Sequence, residues 1–109
     1  MRLFEVRMTA DAVGDLEDIV DWITRHDGVD RAQHVLERIW TAVDALKRFP
    51  ERGAHPAELL ALGIREYRET FFKPYRVVYR VEDKQVIVYL IADGRRDMQS
   101  LLARRLLAG

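Results

Sequence analysis

The chain has 109 residues, no net formal charge, 49% hydrophobic and 33% charged residues, and no cysteine. That is enough for one domain with its own core, and it excludes a disulfide framework and thiol chemistry. No apolar run approaches the roughly 18 residues of a membrane helix, and Met1–Glu5 lacks the apolar stretch of a signal peptide, so the expected compartment is the cytoplasm.

Arg2 to Met8 alternates polar and apolar residues, which predicts a strand over Leu3–Met8. Thr9 is placed as an N-cap, with Asp11 in the first helical turn. Ala12, Leu16, Ile19, Val20 and Ile23 then recur at helical spacing, with Asp15, Asp18 and Asp21 off the stripe. Gly28 ends this helix. Asp30 is the expected cap of a second helix, whose stripe is Ala32, Val35, Leu36, Ile39, Val43 and Leu46 and which stops at Pro50 and Gly53. So short a break predicts an antiparallel helical hairpin. After a connector with a helical turn at Glu58–Leu62, three strand-like runs follow: Arg65–Phe72, Tyr75–Val81 and Gln85–Ile91. Val86–Ile91 is apolar on both faces, as in a strand covered on both sides. Asp97 is the expected cap of a short last helix carrying Met98, Leu101, Leu102, Leu106 and Leu107. The predicted fold is α+β: one strand, a helical hairpin, a three-stranded antiparallel meander and a short C-terminal helix, in a single domain over 1–109. The hairpin should cover one sheet face, leaving part of the other open for function.

Little in the sequence suggests a nucleophile or a metal. Ser100 is the only serine and stands in no elbow motif. His26, His34 and His55 show no ligand spacing, and glycine-rich phosphate loops are absent, so neither cofactor nor metal is expected. The basic residues are more informative. Met1–Leu62 carries eight basic and twelve acidic residues, a balance of −4; Gly63–Gly109 carries ten and six, a balance of +4. Arg65, Arg68, Arg76, Arg80, Arg95 and Arg96 all lie on or beside the predicted meander, and Arg76 and Arg80 share a strand face by period-two alternation. Two readings stand. The guanidinium groups converge on one basic face that binds phosphate or carboxylate, or they form cross-strand ion pairs with Glu66, Glu69, Glu82 and Asp97. Residue chemistry alone leans to the second. Trp22 and Trp40, in the helical hairpin, are either interface anchors or helix packing.

Several segments, in order, resemble the ParE/RelE toxin superfamily of type II toxin–antitoxin systems over nearly the whole chain. They are Val6–Ala12 with Asp15–Ile19, Leu46–Pro50 with Gly53, Gly63–Arg68, Tyr75–Tyr79 and Asp93–Asp97. The resemblance implies a growth-arresting toxin held inactive by a cognate antitoxin, a ParD-like partner with a ribbon-helix-helix start, that lays a helix and an extended segment over it. It implies one of two targets, DNA gyrase for ParE-type members or the ribosome for RelE-type mRNA endonucleases. A member that persists only as a non-toxic antitoxin-binding module is a third reading. By that resemblance Arg68, Arg76 and Arg96 match basic positions of the RelE-type ribonuclease site. Its other groups are unmatched: a second basic residue falls at Thr70, a C-terminal tyrosine at Leu102, and the histidine of related ribonucleases at Asp93. Attack by a 2′-hydroxyl needs a group that takes its proton, and none is evident, so the ParE-type reading is preferred. Trp22, Arg80 and Arg95 are the expected antitoxin contacts.

Overall fold

The computed structural model describes residues 3–107. Strand β1 (Glu5–Met8) leads through Thr9 into helix α1 (Ala10–Asp27), and the Thr9 hydroxyl accepts the Ala12 amide at 3.1 Å. A cap of this kind contributes about 1 kcal/mol. Helix α2 (Val29–Asp44) follows after the single residue Gly28. Gly28 has φ +94°, a conformation that L side chains rarely adopt, and it closes one helix while opening the next. Asp30, the expected cap of α2, therefore lies inside the first helical turn, because Gly28 has already taken the cap position.

A 3₁₀ turn (Ala45–Lys47) and a short helix α3 (Ala57–Leu60) lead to the meander of β2 (Tyr67–Phe72), β3 (Tyr75–Glu82) and β4 (Gln85–Asp93). Two-residue turns, Lys73–Pro74 and Asp83–Lys84, join these strands. The sheet order is β1-β4-β3-β2, with β1 parallel to β4 and the other pairs antiparallel. The strand predicted from Arg65 begins only at Tyr67, so Arg65 lies in the approach to β2. The strand predicted from Leu3 begins at Glu5, and Arg2, read as part of its alternation, lies outside the described residues. Helix α4 (Met98–Leu102) is capped by Asp97, which accepts the Ser100 amide, and continues as a π-helical turn over Ala103–Leu107.

The register between β3 and β4 shifts: Val78 faces Leu90 but Tyr79 faces Val88, leaving Tyr89 as an extra residue on β4. This bulge reverses which face each later β4 side chain meets. Val86, Val88 and Ile91 join the core under the helical hairpin, with Leu16, Ile23, Val35 and Ile39. Leu90 and Ala92 turn to the other face. There a second cluster, built with Leu59 of α3 and Met98, Leu101 and Leu102 of α4, covers much of the surface expected to be open. The short elements α3 and α4 each bring too few apolar residues for a periodic pattern to reveal them as a layer.

Candidate functional site

The six arginines do not form one face. Arg68 lies directly across from Tyr79 and so points to the hairpin side of the sheet. Its guanidinium donates to the carbonyl oxygens of Glu51 (3.1 Å) and Gly53 (2.8 Å), tying down the connector. Tyr79 is fully buried beside it; its hydroxyl donates to the Pro50 carbonyl at 2.6 Å and accepts the Gly53 amide at 3.2 Å. Arg65 is exposed ahead of β2. Arg80, on the opposite face, has its guanidinium 5.9 Å from the centre of the Tyr67 ring and 3.7 Å from Glu82.

Arg76 shares the face of Arg80, as alternation requires, yet its environment is different. Its side chain is only 12% exposed. Nε donates to Glu69 at 2.7 Å, and the two terminal nitrogens grip Glu58 of α3 at 2.8 Å each. Glu69, the buried carboxylate of β2, lies diagonally across the strand pair. Gly94 packs on the Arg76 stem: a Cβ there would stand 2.7 Å from Arg76 Cδ. The hydrogen bonds with Glu58 and Glu69 raise the Arg76 pKa above its ordinary value. The same contact holds the Glu58 carboxyl below the usual carboxylate range. The ion-pair reading of the sequence is thus correct for Arg76, with Glu58 as the partner that sequence alone could not supply.

Arg95 and Arg96 end up elsewhere, at the exit of β4, on the rim of a groove of about 380 Å³ between α1 and the last residues of that strand. Ile19, Trp22, Tyr75 and Ile91 form its apolar wall. Trp22 is 53% exposed and stacks on His26 at 4.0 Å between ring centres. Arg95 is exposed and reaches back to Asp93 at 2.6 Å; its hydrogen bonds hold the Asp93 carboxyl below its ordinary range. Two of the expected contact residues, Trp22 and Arg95, therefore share this groove, whereas Arg80 stands toward the other end of β3.

Asp15, which also lines this groove, is held by a contact that sequence reading missed. Arg105 grips Asp15 with two nitrogens at 2.8 and 2.9 Å and also donates to the Tyr89 carbonyl at 2.9 Å. Asp15 in turn accepts the Ile91 amide at 3.0 Å. These two backbone groups lie on β4 just past the end of its pairing with β1 at Val88. The Asp15–Arg105 pair therefore completes hydrogen bonding on a strand edge that β1 is too short to reach. The available signal was slight: two consecutive arginines, Arg104 and Arg105, in an otherwise apolar C-terminal run.

Residues 6–98 match the family described as ParE toxin of type II toxin-antitoxin system, parDE. The chain belongs to the ParE toxin family. It is 29% identical over 92 residues to Toxin ParE3 of Caulobacter vibrioides, covering 84% of this chain and 88% of that protein. Its fold is similar to a structure of the chromosomal ParDE toxin–antitoxin system of P. aeruginosa, with a TM-score of 0.71, 22% identity, and 84% of this chain and 96% of that chain covered. A chain of the RelBE2 toxin–antitoxin complex of Mycobacterium tuberculosis is also similar in fold, with a TM-score of 0.61, 20% identity and coverage of 85% and 93%. Among the described residues, no helix of this ParE-family chain is long and apolar enough to cross a membrane.

Proposed function

We propose that this toxin arrests growth by inhibiting DNA gyrase, not by cutting RNA, and that a cognate ParD-like antitoxin neutralises it. The observation that carries the choice of target is the state of Arg76. A ribonuclease arginine must be free to approach a phosphate as charge develops on it. Arg76 is instead held by two carboxylates and carries Gly94 against its stem. Proton transfer lacks a group as well. Leu102, at the position of the ribonuclease tyrosine, is fully buried in the second core cluster. Asp93, at the position of the histidine, is engaged by Arg95 and kept ionised at neutral pH.

The antitoxin's segment occupies the groove between α1 and the end of β4, with an apolar side chain against Trp22 and acidic residues near Arg95 and Arg96. The apolar wall and the exposed Arg95 and Arg96 support this reading; of the carboxylates that also line the groove, Asp15 and Asp93 are already paired with Arg105 and Arg95, and Asp18 lies on the α1 side, away from the two arginines in sequence. The test is a supercoiling assay with purified gyrase beside a ribosomal A-site cleavage assay. Loss of supercoiling, or trapped cleaved DNA, is expected with intact mRNA. Codon-dependent mRNA cleavage that Arg76→Ala abolishes would overturn the reading in favour of the RelE-type activity.

A further inference from the structure

On the other flank of α1 lies a second groove, of about 570 Å³, between α1, α2 and β1. Its floor is apolar: Met8 from β1, Val13, Leu16 and Val20 from α1, and Leu36 and Trp40 from α2. Trp40 is 48% exposed and Val13 is also exposed, although both project from helices whose other faces are buried in the core. The groove continues past Met8, Val13 and Trp40 into a smaller hollow beside Val6 and Val43. Along its rim stand Glu17, Asp18 and Asp21, and among the described residues no cation lines this main groove. None of the three carboxylates forms a salt bridge among the described residues. In the smaller hollow the one cation among the described residues, Lys47, is already paired with Asp44 at 2.8 Å.

We propose that this groove is a second docking surface, and that its occupant is a basic amphipathic helix of a partner protein. Charge selects the occupant. An acidic segment would bring like charges against Glu17, Asp18 and Asp21, and a second copy meeting this groove across a two-fold axis would do the same. A helix with lysine or arginine flanking an apolar stripe matches both the floor and the rim. Val13 to Val20 spans two turns of α1, about 10 Å at the helical rise, which suits side-by-side helix packing. Trp40 supplies the exposed aromatic anchor on which such interfaces concentrate their affinity. The occupant is argued separately from that of the antitoxin groove, which lies across α1 and shares only Asp18 with this one.

The full chain carrying Trp22→Phe leaves Trp40 as the single tryptophan and so as the reporter. The probes are a synthetic amphipathic helix of leucine and lysine and its twin of leucine and glutamate. The lysine peptide is expected to shift Trp40 emission to the blue and to bind about tenfold more weakly when salt shortens the screening length from about 10 Å to 3 Å. Joint Glu17→Lys and Asp21→Lys substitution should weaken it by about tenfold or more. Glu66→Lys, an exposed charge reversal outside the groove, should leave affinity unchanged. Equal binding of the glutamate peptide, or indifference to Glu17→Lys and Asp21→Lys, would overturn the proposal. So would a concentration-dependent dimer in sedimentation that Trp40→Glu dissolves, since that result assigns the groove to a second copy.

Discussion

Removing the Arg76 guanidinium leaves Glu69 buried opposite Val78 with no cation beside it. Breaking a buried pair in this way typically costs about 3 kcal/mol or more, because the remaining charge has lost its hydration and its partner. Arg76→Ala is therefore expected to lower the urea midpoint strongly, and an unchanged midpoint would show that the pair contributes nothing. Glu58 gives the pH dependence. Its folded-state pKa is depressed by the hydrogen bond from Arg76, so the unfolded chain binds this proton more readily. The stability it contributes is present above the ordinary carboxylate range and lost as pH falls through that range toward the lower folded value. Glu58→Gln should lower stability at neutral pH and flatten its decline in acid, read from urea midpoints across that range. The Asp93–Arg95 pair has the same sign, but its arginine is exposed and solvent screens it, so its share is small.

At the scale of elements, two contacts hold segments with little core of their own. The connector after α2 is fixed by Tyr79 and Arg68, and Gly53 sits where no side chain fits: a Cβ would stand 2.5 Å from both the Glu69 carbonyl oxygen and the Tyr79 hydroxyl. Gly53→Ala must displace one of them, and overpacking of this kind costs about 1–3 kcal/mol. A thermal melt checks this, and an unshifted midpoint would mean that the connector yields freely. The C-terminal turn is held by Arg105, which bridges Asp15 and the edge of β4. Asp15→Asn removes the charge and weakens the acceptor of the Ile91 amide. Exchange of that amide with deuterium should speed up by about tenfold, the equivalent of one net hydrogen bond, while amides of Val77 and Val88 stay protected. Uniform acceleration along all strands would instead indicate global destabilisation.

For the whole molecule, the separation of charged and apolar features over the surface sets how a partner arrives and stays. Arg95 is an exposed rim charge, and rim charges act mainly on encounter. Trp22 is an apolar wall residue, and such anchors act mainly on residence. With the cognate antitoxin, Arg95→Ala should slow association and reduce its salt dependence with a modest loss of affinity. Trp22→Ala should raise the dissociation rate by much more, and Arg80→Ala should alter neither, since it lies away from that groove. Surface-binding kinetics at two salt concentrations separate these effects. If Arg95→Ala changed only dissociation and salt had no influence, the arginine would be a structural partner of Asp93.

By itself the sequence determined the elements and their order, because each depends on neighbours a few positions away. The stripes of α1 and α2, the Thr9 cap and the doubly apolar run of β4 are local patterns whose period reports burial directly. The family resemblance was legible for the same reason, in short segments at fixed order. Where the arginines point was decided only by tertiary structure. Arg76 and Glu58 are 18 residues apart, and Arg105 and Asp15 are 90 apart. Nothing in local periodicity selects such partners; they meet because α3 and the C-terminal turn fold over the sheet. The bulge at Tyr89 is equally invisible in a run of apolar residues, since strict alternation would keep Val88 and Leu90 on one face. One inserted residue there divides β4 between two cores, and that division sets which side chains are left to line the grooves.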